Sequence, residues 1–402
     1  LQYSLEGTDP AAFAAAGLAG PIVFEGRDRF RERELAAFVD GTIALLPQRD
    51  LTLGARATQY RTLEIAVRHE LVELLSEASQ QRPLAAAGRY FPHESRANAT
   101  GFADTAGSEL TLPANASRVT PRATLTWRAR TATLVYAGVG DGFRTGGANP
   151  PEIPVAGRCP DRTSLPARPD QFGPDRVRNW ELGAKHRSTG GRLDLAVAAF
   201  RLDWTDIQAA VTYTCADNTT INWTGNGPRA RTRGVEWESG VVLAPGTVVR
   251  GSATWLDATY VRNAPEAGIT AGTRLGYVPR WSGALAIDWV ALRARGRLGV
   301  PYAGASWRYQ GARPDPNWGP AADPETGRDL AGYGIVGGRI GVVRGRWDVA
   351  LFVDNLFDAA PALEQLPLFA TAGLDLGSLR ADRVREQVLL RPRTVGIAVR
   401  VR

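Results

Sequence analysis

The chain of 402 residues contains no methionine, two cysteines, three histidines and a single lysine. Each shortage excludes something. Two cysteines cannot build a cysteine-rich zinc module, and His69, His93 and His186 are scattered, so no metal-ligand spacing is present. No His falls in a Ser/His/Asp set, and no catalytic residue or cofactor motif is expected. Without methionine there is no initiator. No basic segment followed by an apolar run marks a signal peptide either, so Leu1 is expected to open a fragment or a processed form. No stretch approaches the roughly 18 uninterrupted apolar residues of a transmembrane helix. If such a chain enters a bilayer, it must do so as strands. Lysine is confined to Lys185, so arginine carries the formal net charge of +7. The arginines are spread singly, with no basic block and interleaved aromatics, which argues against a nucleic-acid partner.

What the chain does have is alternation. Val395, Ile397, Val399 and Val401 share one face of an extended segment, opposite Thr394, Gly396, Ala398, Arg400 and Arg402. Leu51, Leu53, Ala55 and Ala57 oppose Thr52, Gly54 and Arg56. Trp347, Val349, Leu351 and Val353 oppose Asp348, Ala350, Phe352 and Asp354. About thirteen such segments run from near Glu34 to Arg402. Between Ala199 and Phe200 the alternation changes phase, which predicts a bulge. Leu63–Gln80 fits either a loop helix or a strand continuing from Tyr60. Connections alternate between short ones, such as Arg344-Gly345-Arg346, and long ones, such as 207–229 and 357–391. Short turns at one end and long loops at the other are the asymmetry of an outer-membrane barrel. A soluble sandwich has no reason to sort its loops this way. The expected fold class is therefore all-β, an antiparallel transmembrane β-barrel.

Four motifs carry a family resemblance. Tyr136 to Asn149 contains Gly-Phe-Arg (142–144) and Gly146-Gly147. Asn179 to Lys185 reads Glu-x-Gly-x-Lys from Glu181. Gly234-Val235-Glu236 is followed by Glu238. Asp354-Asn355-Leu356-Phe357-Asp358 precedes the closing Pro392-Arg393-Thr394 strand. In this order, across about Arg33 to Arg402, the chain resembles the C-terminal part of a TonB-dependent outer-membrane receptor. The resemblance implies a 22-stranded barrel around a plug, of which this chain holds the last thirteen or so strands and no plug. It divides the chain into an extracellular loop remnant at 1–33 and a partial barrel at 34–402. The family's usual closing aromatic is replaced by Arg402, so the chain is expected to be clipped there as well.

The resemblance also implies outer-membrane lipid around the barrel of a Gram-negative cell. It implies a scarce ligand of the ferric siderophore or similar iron-complex type, and a TonB-type energy-coupling partner acting through the plug. A passive porin-like channel and a soluble β-sandwich binding protein are the alternatives. Arginines beside aromatics in the long loops are the ligand candidates: Tyr213, Trp223, Arg313, Trp318 and Tyr333, with Arg144 and Asn149 at the lumen top. The other reading of each is an ordinary loop or girdle residue. Architectural roles are expected for Gly146, Gly147, Gly234, Asp354, Asn355 and Phe357. Glu181 and Glu236 are expected to pair with arginines across a polar lumen. Cys159 and Cys215 lie in Pro- and Asn-rich loops and are either a disulfide or two unrelated thiols. Gly138 to Gly142 lacks the third glycine and the following helix of a nucleotide loop.

Overall fold

A computed structural model describes residues 2–4, 22–71, 96–97, 102–104, 110–149, 168–214, 220–293, 299–315, 329–367 and 385–401. Sixteen strands form one antiparallel sheet. Three are short: Gln2–Ser4, Arg96–Ala97 and Phe102–Asp104. The other thirteen form an uninterrupted meander. They are β1 (Ile22–Leu46), β2 (Arg49–Leu71), β3 (Leu110–Arg130), β4 (Thr133–Arg144), β5 (Asp175–Arg187), β6 (Leu193–Thr205) and β7 (Ala230–Ala244). They continue with β8 (Thr247–Tyr260), β9 (Trp281–Val290), β10 (Val300–Gln310), β11 (Tyr333–Arg344), β12 (Trp347–Asp354) and β13 (Thr394–Val401). Among the described residues, β13 pairs with β12 alone and no pairing joins it to β1.

The register sorts the side chains. From β13 the partners of Val395, Ile397 and Val399 are Val353, Leu351 and Val349. Leu351 and Val349 lie opposite Ile340 and Val342, which in turn face Ala303 and Pro301. The same face continues through Ile287, Val249, Val241, Val197, Ala184, Val135, Trp127, Leu51 and Ile43 on successive strands. Thirteen period-two patterns thus combine into one continuous apolar face. Val395, Ile397, Val399 and Val401 are 71%, 68%, 57% and 54% exposed. An apolar surface of this extent is not stable in water and calls for an apolar neighbour.

The opposite face is polar. Arg56 pairs with Glu34, and Arg122 with Asp40 at 2.7 Å. Asp288 accepts from Arg250 and Arg339, each at 3.1 Å. Tyr302 donates to Asp348 at 2.7 Å. Several glycines here lie under aromatic rings of the neighbouring strand. A Cβ on Gly183 would meet the Tyr136 ring at 2.5 Å, and one on Gly234 would meet Phe200 at 2.5 Å. Phe352 covers Gly396 in the same way. The motif glycines therefore make room for rings lying flat on the sheet, which pins the register.

One expectation needs revision, and one open choice is narrowed. No bulge interrupts β6, which keeps continuous register with β5 and β7. Phe200, Leu202 and Trp204 change the pattern because the polar face there is itself aromatic and aliphatic. Leu63 onward continues β2 as strand to Leu71, and residues 72–80 lie outside the described ones. β1 and β2 have 25 and 23 residues, so this hairpin extends roughly 80 Å at about 3.3 Å per residue. Spanning a bilayer takes only about 9–11 tilted residues. β1 also begins at Ile22, well before Glu34.

The end of β12 shows how the meander is fastened. Asn355 has φ 53°, a left-handed conformation. Its side-chain amide donates to the carbonyls of Ala359 and Arg391, and its Oδ1 accepts from the Ala359 amide at 2.9 Å. Asp358, also left-handed, accepts from the Arg393 amide at 2.7 Å, one residue before β13 begins. The Asp354 to Asp358 motif thus closes a turn and clips it to the start of β13, while Phe357 projects to the outside. Asn355→Ala removes three hydrogen bonds to the backbone and leaves alanine, which has no side-chain amide to compensate, in the left-handed region. It is expected to cost about 1–3 kcal/mol, read as a lower unfolding midpoint on urea titration in detergent.

Candidate functional site

The described loop residues build two clusters at the long-loop end of the sheet. The first rises from β4 and β5. Asp175 opens β5 opposite Arg144, the last residue of β4. Asp175 is 2% exposed and Arg144's side chain 53% exposed. The carboxylate accepts from Arg144 Nε at 2.8 Å, from Nη2, and from the Arg144 amide at 3.3 Å. The guanidinium carbon lies 4.9 Å from the centre of the Trp204 ring. Nη1 has no hydrogen bond among the described residues, so this cation is oriented on one side and open on the other. Beside it, buried Tyr60 stacks on Phe143 at 6.2 Å, and its Oη accepts from the Gly146 amide at 2.8 Å.

Gly146 and Gly147 then turn the chain. A Cβ at Gly146 would stand 2.3 Å from the Phe172 carbonyl oxygen, and one at Gly147 would enter the Phe172 ring. Gly147–Ala148 pairs with Gln171–Phe172. Asn149 is buried and fully used. It donates to the carbonyls of Pro169 at 2.9 Å and Thr224 at 2.8 Å, and accepts from the Thr224 amide at 2.8 Å. Thr224 belongs to a hairpin of Gln208–Thr214 and Thr220–Asn226. That hairpin carries a small core of Val211 and Trp223, against which Tyr213 and Ala267 pack. Gln208 donates to the Thr145 carbonyl at 2.7 Å, and Asn226 to those of Gly173 and Asp206. Three side-chain amides therefore fasten the hairpin over the strand ends.

The second cluster surrounds Arg313. It is buried, its backbone bridges Leu330, and its Nη2 donates to the Leu363 carbonyl at 2.8 Å. Its guanidinium lies 5.8 Å from the Tyr333 ring, and Tyr333 Oη bonds Gln310 at 3.0 Å. Arg313 Nη1 has no hydrogen-bond partner among the described residues.

The sequence candidates thus fall into two groups. Arg144, Asn149, Tyr213 and Trp223 share the first cluster, and Arg313 and Tyr333 the second. Trp318, Cys159 and Cys215 lie outside the described residues. Asp175, Trp204, Tyr60, Gln208 and Asn226 were not singled out from sequence. Asp175 and Trp204 carried a readable signal, since each sits at the loop end of an alternating strand. On the polar face below, Glu181 accepts from Tyr136 Oη at 2.5 Å rather than from an arginine. Glu236 shares that face and makes no ion pair among the described residues. No group of three or more His, Cys, Asp or Glu among the described residues fits a metal.

The comparisons with known proteins agree with this architecture. Residues 2–356 match the family described as TonB dependent receptor-like, beta-barrel, and the chain belongs to that family. No curated protein matches it in sequence. Among solved structures, it resembles the ferric yersiniabactin uptake receptor FyuA from Yersinia pestis. The identity is 18% and the TM-score 0.64, over 95% of this chain and 47% of that one. The ferric-catecholate import receptor Fiu from E. coli K12 gives 18% and 0.59, over 92% and 45%. The siderophore receptor PiuA from Acinetobacter baumannii gives 15% and 0.59, over 95% and 44%. The chain spans about half the length of these relatives, and the likeness is one of fold.

Asn149→Ala removes the link between the Gly147 turn and the 208–226 hairpin. It is expected to speed proteolytic cleavage in the upper loops several-fold. The unfolding midpoint of the strands should move by less than the roughly 1–3 kcal/mol of a core defect.

Proposed function

We propose that the chain is part of an outer-membrane receptor that takes up a scarce ligand, with the apolar face against lipid and the polar face toward a lumen. The observation that carries this is the pairing of a continuous apolar face with loops sorted by length. On β9 the apolar stretch runs from Trp281 to Trp289, about 27 Å along the strand at roughly 3.3 Å per residue. Tilted by about 40°, it covers most of an apolar band of about 25 Å flanked by aromatic girdles. Thirteen long strands whose first and last do not pair with each other among the described residues, and relatives of twice the length, support a larger closed barrel of 22 strands whose other strands and plug lie outside this chain. Inward transport of a ligand past a plug would then need an energy-coupling partner of the TonB type, as the family membership implies.

The ligand class we infer is an anionic iron chelate, taken up without covalent chemistry. Arg144 supports this reading: one edge is fixed by Asp175, a tryptophan lies beside its plane, and the other edge is open. Such a group can hold a carboxylate, catecholate or hydroxamate oxygen by charge-assisted bonds. Tyr213, Trp223, Arg313 and Tyr333 supply stacking and charge in the loops of the same end, and Trp318, outside the described residues, is a candidate from its sequence alone. Asn149 acts as the fastener that holds this surface in place.

The test is uptake of iron-loaded chelates by iron-starved cells carrying the full-length protein, with and without the energy-coupling protein. Uptake of one chelate that disappears in both single deletions, and falls at least tenfold with Arg144→Ala, is the expected result. Unselective solute flux that persists without the coupling protein would favour a passive channel and contradict the proposal.

A further inference from the structure

The apolar face stops being apolar on β4–β7 as it approaches the long loops. Outward of Trp180 on β5 come Arg178 and Arg176. Outward of Ala199 on β6 come Arg201 and Asp203, and outward of Val235 on β7 come Arg233 and Arg231. β4 adds Asp141, and β8 adds Asp257 opposite Arg233. Five arginines against three aspartates leave this collar two positive charges in excess (five minus three). It faces outward, away from the lumen and from the two loop clusters.

Its height follows from the strand tilt. A row of directly paired residues runs Ile43, Leu51, Leu125, Ala137, Leu182, Ala199, Val235, Trp255 and Trp281. It begins beside the short turn of β1 and ends at the long-loop end of β9, crossing the band diagonally. Strands about 4.8 Å apart and tilted by roughly 40° climb about one residue per strand. The level of Trp281 therefore passes close to Arg233 on β7, Arg201 and Asp203 on β6, Arg178 on β5 and Asp141 on β4. The collar stands at the girdle, where headgroups meet hydrocarbon.

The collar is also organised. Asp141, 3% exposed, holds both neighbours on β5, bonding Arg178 Nε at 2.7 Å as well as Arg176. Asp203 holds Arg201 Nε and Arg231 Nε, each at 2.8 Å. Two carboxylates thus fix four guanidiniums and cancel half their charge. Arg233 has no ion pair among the described residues, and it lies directly opposite Arg201. Like charges directly opposite are destabilising. An anion seated between them would turn that repulsion into two attractions.

From this arrangement we infer that the outward collar of Arg176, Arg178, Arg201, Arg231 and Arg233 binds the phosphate groups of the phosphorylated glycolipid, lipid A, in the outer leaflet. Planar guanidiniums suit phosphate because two parallel bonds form at once. The acyl chains of the same molecule would lie on the apolar residues below, Trp180, Leu182, Val197 and Val235. The inference rests on the proposed membrane orientation, because only the outer leaflet presents this lipid at the long-loop end.

The experiment is a titration of the full-length protein in detergent, followed by native mass spectrometry. The lipids are bisphosphoryl lipid A, its dephosphorylated form, and phosphatidylglycerol. The parent should bind bisphosphoryl lipid A at least tenfold more tightly than either other lipid. Arg201→Gln combined with Arg233→Gln should remove at least tenfold of that affinity, and Arg339→Gln on the polar face should leave it unchanged. Equal affinity of parent and double variant, or equal binding of phosphatidylglycerol, overturns the site alone. A protein that stays monomeric in buffer without detergent overturns the membrane reading on which it rests.

Discussion

Backbone pairing in unbroken register is the constraint on which everything else depends. A strand presents its side chains alternately to two faces, and a one-residue slip moves all of them to the wrong side. Within the thirteen-strand meander β5, β6, β9, β10, β11, β12 and β13 pair with no shift at all, and the shifts in the β1–β2, β3–β4 and β7–β8 pairings fall beside short turns. The register carries Val399 in line with Val349, Val342 and Pro301, and Arg400 in line with Asp348. A chain with no apolar helix long enough to cross a membrane among its described residues can still satisfy every internal backbone group in a bilayer this way.

Side chains then reinforce what the backbone sets. Tyr136 lies on Gly183 and bonds Glu181, so the Glu-x-Gly segment of β5 and the tyrosine of β4 form one unit. Phe200 on Gly234 repeats the arrangement one strand pair further on. Small residues in these motifs are thus explained by the ring each must accept. At the loop end, amides take over from rings. Asn149, Gln208, Asn226 and Asn355 each bond main-chain groups that the sheet no longer pairs. A surface presented above a barrel needs such fasteners, because loop backbone has no ladder to satisfy it.

Much of this was legible in the sequence, for a physical reason. Period-two burial is a local pattern, so Val395 to Val401 and Trp347 to Val353 could be assigned by inspection, and the strand total followed. The sorting of loops by length was legible too. What was not legible depended on partners distant in sequence. Phe200 suggested a bulge because nothing nearby shows that Gly234 waits beneath it. Leu63 to Leu71 reads equally as helix or strand until β1 and β3 pair with it. Asn149 pointed to a ligand, whereas its amide is consumed by Thr224 and Pro169. The arginine collar was seen only as single, scattered charges, since register alone brings Arg178, Arg201 and Arg233 side by side.

The central claim is that one face of these strands contacts lipid and the other contacts water. Spin labels attached singly at cysteines replacing residues 394 to 401 test it in reconstituted membranes, with Cys159 and Cys215 removed. Collision with oxygen, which dissolves in lipid, should peak at 395, 397, 399 and 401. Collision with a water-soluble nickel complex should peak at 394, 396, 398 and 400. Equal access of the nickel complex to all eight positions would contradict the account.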